Sequence, residues 1–219
     1  GTREERIPEA GTGPGRYGYV DQIRRIGETM FVAGYNRQVY RRDATGWVRA
    51  DAGARCDPKR PGVGFLAIDG FDVAELYAAG RRGDLQRFDG ARWHAIASPT
   101  TSFLRGIRAG QEAAFAAGGE GVVLSGRGDG WAVLPLASGL SVDSFYDVAV
   151  FRGQVFLSAY EGLFTVKGGL VVPVDDPLPP DTRCFRLSAS GDELWVVGHD
   201  RVFHSDGVGW REEVCPDNV

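Results

Sequence analysis

Short apolar runs of four or five residues recur along this chain, punctuated by glycine, aspartate and arginine. Four of them share one layout: Met30-Phe-Val-Ala-Gly34, Leu76-Tyr-Ala-Ala-Gly80, Ala114-Phe-Ala-Ala-Gly118 and Leu194-Trp-Val-Val-Gly198. A tryptophan follows each, with Trp47, Trp93 and Trp131 lying 13 residues beyond their glycines and Trp210 lying 12 beyond its own. A fifth unit fills the gap, with Val155-Phe-Leu-Ser158 in place of the apolar run and Val171 in place of Trp, again 13 residues on. The intervals between successive Gly positions are then 46, 38, 40 and 40, the period of propeller blades. No segment sustains the i, i+3, i+4, i+7 apolar spacing of an amphipathic helix, so the pattern predicts strands almost throughout.

Each unit reads as four short strands, here called a to d. In the second unit these are Gly64–Ile68, Glu75–Ala79, Asp84–Phe88 and Arg92–Ile96, with turns at Asp69-Gly70, Gly83 and Asp89-Gly90. A four-stranded sheet cannot bury both faces alone, and packing sheets around an axis solves this while protecting most edges. The expected fold is therefore all-β, a five-bladed β-propeller of four-stranded antiparallel blades. The units run over residues 18–50, 62–97, 101–137, 143–176 and 182–215, within one propeller domain of residues 18–219. Residues 1–17 are expected to be an N-terminal arm that could add a strand to the ring. The recurring Trp is expected to fill the gap between blades.

The segments Asp89-Gly-Ala-Arg-Trp93 and Asp206-Gly-Val-Gly-Trp210 resemble the turn of Asp-box and related bacterial propeller repeats. The five-unit layout is similar to the five-bladed tachylectin-type propellers. The likeness implies a fold and leaves function to the individual residues.

Composition narrows the functional classes. The 219 residues are 43% hydrophobic with 32 glycines, a globular chain rich in tight turns. The formal net charge is −4, and 23 of the 25 basic residues are Arg, a bias that reads as a GC-rich genome. A mildly acidic chain without a basic stripe argues against nucleic acid as a partner. No apolar run approaches the roughly 20 residues of a membrane span, and no signal peptide is visible. The three cysteines, Cys56, Cys184 and Cys215, are odd in number and widely spaced, which suits a reducing compartment and a cytoplasmic location; one bridge, Cys184–Cys215, remains an alternative.

Catalytic and metal signatures are missing from the sequence. His94, His199 and His204 stand in no His-x-His or His-Glu-x-x-His pattern, Cys and His are too dispersed for a zinc site, and Gly118-Gly-Glu-Gly121 lacks the Lys-Ser/Thr of a phosphate loop. No cofactor or metal is expected. Arg105, Asp147 and Arg186, on strand a of units three to five, are expected to give a polar channel lining or a buried ion-pair network.

Variable chemistry collects at the b–c turns: Tyr35-Asn36-Arg37, Arg81-Arg82, Glu120, Tyr160-Glu161 and His199-Asp200-Arg201. Variable loops on a repeated scaffold carry binding, and Tyr and Arg are enriched in interface hot spots. The sequence thus points to a non-enzymatic binding protein, monomeric on its own, that engages a protein partner through this face. Its concrete form is a bacterial immunity protein neutralising a cognate toxin, a basic toxin domain being the partner that an acidic chain would steer. The alternatives are a lectin-like propeller binding carbohydrate and, behind it, a propeller hydrolase or lyase.

Overall fold

The computed structural model describes residues 4–7, 13–59 and 62–214. A single turn of helix, α1 (Pro14–Tyr17), precedes twenty strands. Blade 1 comprises β1 (Val20–Ile26), β2 (Thr29–Gly34), β3 (Val39–Asp43) and β4 (Gly46–Arg49). Blade 2 comprises β5 (Phe65–Asp72), β6 (Glu75–Gly80), β7 (Leu85–Phe88) and β8 (Trp93–Ala95). Blade 3 comprises β9 (Leu104–Ala109), β10 (Ala114–Gly118), β11 (Val123–Arg127) and β12 (Gly130–Val133). Blade 4 holds β13 (Phe145–Phe151), β14 (Gln154–Ala159), β15 (Gly162–Lys167) and β16 (Leu170–Pro173), and blade 5 holds β17 (Cys184–Ser190), β18 (Glu193–Gly198), β19 (Val202–Ser205) and β20 (Arg211–Glu213). Each set of four forms its own sheet in chain order, a β-meander, and the chain is a five-bladed β-propeller. It divides into two compact units, one of residues 1–107 with 128–131 and the other of residues 108–127 with 132–219.

The turn expected at Asp69-Gly70 lies inside strand β5. The hairpin instead closes at Val73-Ala74, where Asp72 Oδ1 accepts the N–H groups of Ala74 (2.7 Å) and Glu75 (2.9 Å). Asp-Gly there marks a close approach: a Cβ on Gly70 would meet Glu75 O at 2.5 Å, beside a register irregularity between Gly70 and Asp72. Asp89-Gly90 does form a turn, with Asp89 Oδ1 accepting the N–H of Ala91 and of Arg92, each at 2.9 Å. Those two N–H groups, with His94 at 2.7 Å from Oδ2, hold the Asp89 carboxyl far below the usual carboxylate range.

In the first unit, blades 1 and 2 join through a core of Phe31, Val39, Phe65, Ile68, Leu76 and Trp93. Trp93 is 2% exposed, packs on Phe65 and Phe88, and donates Nε1–H to Ala50 O at 2.8 Å, just past blade 1. Gln22 Oε1 accepts the N–H of Ile68 (2.7 Å) and Arg24 pairs with Asp69 (3.1 Å), joining strands β1 and β5. Tyr77 Oη donates to Glu75 Oε1 and accepts the N–H of Gly128, both at 2.7 Å, while its ring meets Trp131 edge to face. The described part of the N-terminal arm adds no strand. Its Tyr17 carbonyl accepts Asn36 Nδ2–H, its Gly18 carbonyl accepts Gln38 Nε2–H, and Arg55 lies over the Tyr17 ring.

The second unit repeats the scheme. Asp147 Oδ2 accepts the N–H of Leu187 (3.2 Å), as Gln22 does for Ile68, and Trp210 donates to Asp176 O (2.9 Å), as Trp93 does to Ala50. Asp147 is buried and pairs with Arg108 at 3.6 Å, so the expected ion pair exists with a different arginine. Arg105 and Arg186 are exposed, and Arg105 lies over the Phe103 ring. Blade 4 manages without Trp because the linker from blade 3 takes its place: Val171 N–H donates to Pro135 O and Ala137 N–H to Val171 O, both at 2.9 Å. The gap-filling role expected of every Trp is complete only at Trp93, since Trp47, Trp131 and Trp210 are half-buried. Cys184 is buried as a free thiol, raised by desolvation to about 12, and Cys215 lies outside the described residues.

Two outcomes follow from this packing. Trp93→Ala removes a fully enclosed ring from between two blades and is expected to destabilise the chain by about 3–5 kcal/mol in urea unfolding. Burial, then the hydrogen bond to Glu75, raises the Tyr77 phenol from 10.0 to about 12. The folded state therefore favours the neutral phenol, and this contribution is whole below about pH 10 and fades as pH rises toward 12. Burial raises the Tyr40 phenol as well, so spectrophotometric titration should show a late-ionising group of tyrosines that Tyr77→Phe reduces by one. The same variant should lose about 1–3 kcal/mol at neutral pH by orphaning the Gly128 N–H.

Candidate functional site

At one edge of blades 1 to 4, the b–c turn lies beside the entry to strand a of the next. Three of these turns share one backbone. Gln38, Asp84 and Val122 return their N–H groups to Tyr35, Arg81 and Gly119, and the two central residues have positive φ: Asn36 and Arg37, Arg82 and Gly83, Glu120 and Gly121. This is the type I′ geometry that suits a two-residue hairpin to the twist of the strands. It also turns an N–H toward the following blade, where Asn36 donates to Val63 O (3.2 Å), Gly83 to Ser102 O (2.8 Å) and Gly121 to Asp143 O (3.1 Å). A Cβ on Gly83 would lie 1.9 Å from Thr100 O, which excludes any other residue there.

The predicted turn residues divide on this scaffold. In the first unit Asn36 is 9% exposed and clamps the arm, and Arg37 Nε bonds Asp84 Oδ2 at 2.6 Å. Tyr35, Arg81 and Arg82 stand outward. Arg81 stacks 5.1 Å from the Tyr35 ring centroid and donates to its hydroxyl at 2.7 Å, and Tyr19, 79% exposed, meets Tyr35 edge to face. Burial raises the Asp21 carboxyl, and the positive charge of Arg81 opposes that rise.

In the second unit Glu120 is exposed, Tyr160 is 48% exposed with Arg183 stacked 4.5 Å from its ring centroid, and Glu161 accepts the N–H of Asp143. His199 and Asp200 are exposed at the last b–c turn, and Arg201 pairs with Glu212. The structure thus joins Tyr35 to Arg81 and leaves Arg37, Glu161 and Arg201 committed to partners within the fold.

Apart from Arg105, expected as a channel lining, sequence reading missed the residue at the start of strand a. A register shift there, seen in blades 1, 2, 4 and 5, turns one side chain out of the sheet. The equivalent residues are Asp21, Leu66, Arg105, Tyr146 and Phe185. In the second unit Tyr146 and Phe185 meet edge to face at 5.1 Å, and Phe185 reaches His199 at 6.5 Å. The available signal was the residue after an apolar position at each unit's entry (Val20, Phe65, Leu104, Phe145, Cys184), where chemistry varies from unit to unit.

Acid–base chemistry finds little support. His94 bonds Asp89 at a c–d turn, His204 stacks on Trp195 and bonds Glu213 at 3.0 Å, and His199 contacts Phe185, so the three imidazoles occupy separate surroundings. Among the described residues no three His, Cys, Asp or Glu side chains gather as metal ligands.

No family model matches the chain. The virginiamycin B lyase of Staphylococcus aureus is similar in structure, with a TM-score of 0.69 at 12% identity over 90% of this chain and 70% of that one. YCF48 bound to D1 peptide gives a TM-score of 0.64 at 15% identity over 92% of this chain and 68% of that one. At such identities these likenesses speak for the propeller fold alone. The immune protein Tsi7 of Pseudomonas aeruginosa is 33% identical over 210 residues, which are 94% of this chain and 68% of that protein. With that identity over 94% of its length, the chain belongs to the family of the immune protein Tsi7.

Proposed function

We propose that this chain is an immunity protein that binds a toxin protein and neutralises it by occupation, without catalysis, through the b–c turn face. The observation that carries this reading is the 33% identity to an immune protein along 94% of the chain. The face itself supports it: exposed Tyr and Arg side chains on a hydrogen-bonded scaffold supply contact area with little ordering left to do on binding. A net charge of −4 favours the approach of a basic toxin over distance, while the contact residues of both signs set register. The protein acts as a monomer before it meets the toxin, in the cytoplasm. A carbohydrate site per blade is disfavoured, because the equivalent turn positions hold Tyr35, Arg81, Gly119, Tyr160 and His199.

The test is co-expression with the product of the adjacent reading frame. A stable complex and rescue of growth are expected; failure of both sinks the reading. Tyr160→Ala should move stability by no more than about 0.5 kcal/mol, yet weaken the complex about tenfold or more in calorimetric titration.

A further inference from the structure

The turn explains the backbone at position 82 but not the arginine it carries. Arg82 lies in the left-handed region, at φ 58° and ψ 37°, where a long side chain is unfavourable and Asn or Gly is the ordinary occupant. Its guanidinium, which crosses the face of Gly62, takes part in no ion pair or hydrogen bond among the described residues. The adjacent Arg81 makes no direct ion pair among the described residues, although its charge reaches Asp21, and it lies over the Tyr35 ring and bonds its hydroxyl. By contrast Arg37, at the matching turn of blade 1, is neutralised by Asp84. Strain retained without a structural return belongs to sites where binding repays it.

We propose that Arg81 and Arg82, with Tyr35 as the platform, form a clamp for a carboxylate side chain on the toxin. This rests on the reading of the chain as a toxin-binding protein and names the chemistry its partner presents here. The exposed guanidinium of Arg81, pre-oriented by a ring and a hydroxyl, offers the fork that planar carboxylates accept bidentately, and Arg82 adds a second exposed positive charge on the adjacent residue. Stacking lowers the ordering cost of Arg81, and the hydrogen-bonded turn fixes the backbone from which Arg82 projects. Phosphate would satisfy the same fork, but a polyanionic nucleic acid meets a chain of net charge −4.

Arg82→Asn separates the two roles of the residue, since Asn suits the left-handed turn and carries no charge. It should match or exceed the wild-type melting temperature while weakening binding to the purified product of the adjacent reading frame about tenfold. Arg81→Gln with Arg82→Asn should weaken binding about a hundredfold, and Arg25→Gln, at the opposite edge of blade 1, should leave it unchanged. Wild-type affinity in both Arg82 variants overturns the clamp alone. Absence of wild-type binding overturns the toxin-binding reading and the clamp with it. Binding of a labelled DNA duplex by the wild type that Arg82→Asn abolishes assigns the fork to phosphate and also overturns the proposal.

Discussion

The joins that follow blades 1, 2 and 3 depend on a main-chain hydrogen bond between the b–c turn of one blade and the entry to strand a of the next. A blade of four short strands has too little interior to stand alone, so its position must be set by its neighbour. The type I′ turn supplies that setting, because two residues of positive φ aim an N–H outward from the hairpin, and a carbonyl of the next entry receives it. Below this link the same step is reinforced by side chains. Gln22 and Asp147 reach a main-chain N–H on the following strand a, and Trp93 and Trp210 reach a carbonyl just beyond the preceding strand d. Polar groups satisfied at the join allow the apolar surfaces between blades to close without orphaned donors.

The same links divide the turn face into scaffold and free surface. Asn36 and Arg37 spend their side chains on the arm and on Asp84, whereas Arg81, Arg82 and Tyr160 keep theirs outward. A turn whose backbone is fully bonded can present a side chain with little further loss of freedom. That is the condition under which a few exposed aromatic and guanidinium groups hold a partner tightly.

The repeat was legible because its markers are backbone requirements: a glycine where two chains approach, and an aromatic where two sheets meet. Those requirements act at fixed spacing, so the five units and their strands could be counted. Blade 4 shows the limit. Val171 reads as a lost marker, but the linker at residues 135–137 has taken over the join, a substitution of main chain for side chain that leaves no local sign. Asp69-Gly70 misled for a related reason: its glycine serves a close approach within a strand, and the true turn is made by Asp72. The outward residues Tyr146 and Phe185 went unseen because a register shift breaks the two-residue alternation on which strand reading relies. Ion-pair choice was equally hidden, since Arg105 and Arg108 are indistinguishable by type and only register decides which one meets Asp147.

The left-handed turn has a consequence for how such a protein diversifies. Position 82 holds Arg, and its counterpart in the next blade, Glu120, holds the opposite charge on the same backbone. The conformation is fixed by the glycine that follows and by the bonds to the neighbouring blade, so the identity of the outward residue shifts stability a little without changing the fold. A lineage built on this frame can therefore reverse the sign of a contact by changing single codons and drift from one antagonist to another, with each intermediate still a folded protein.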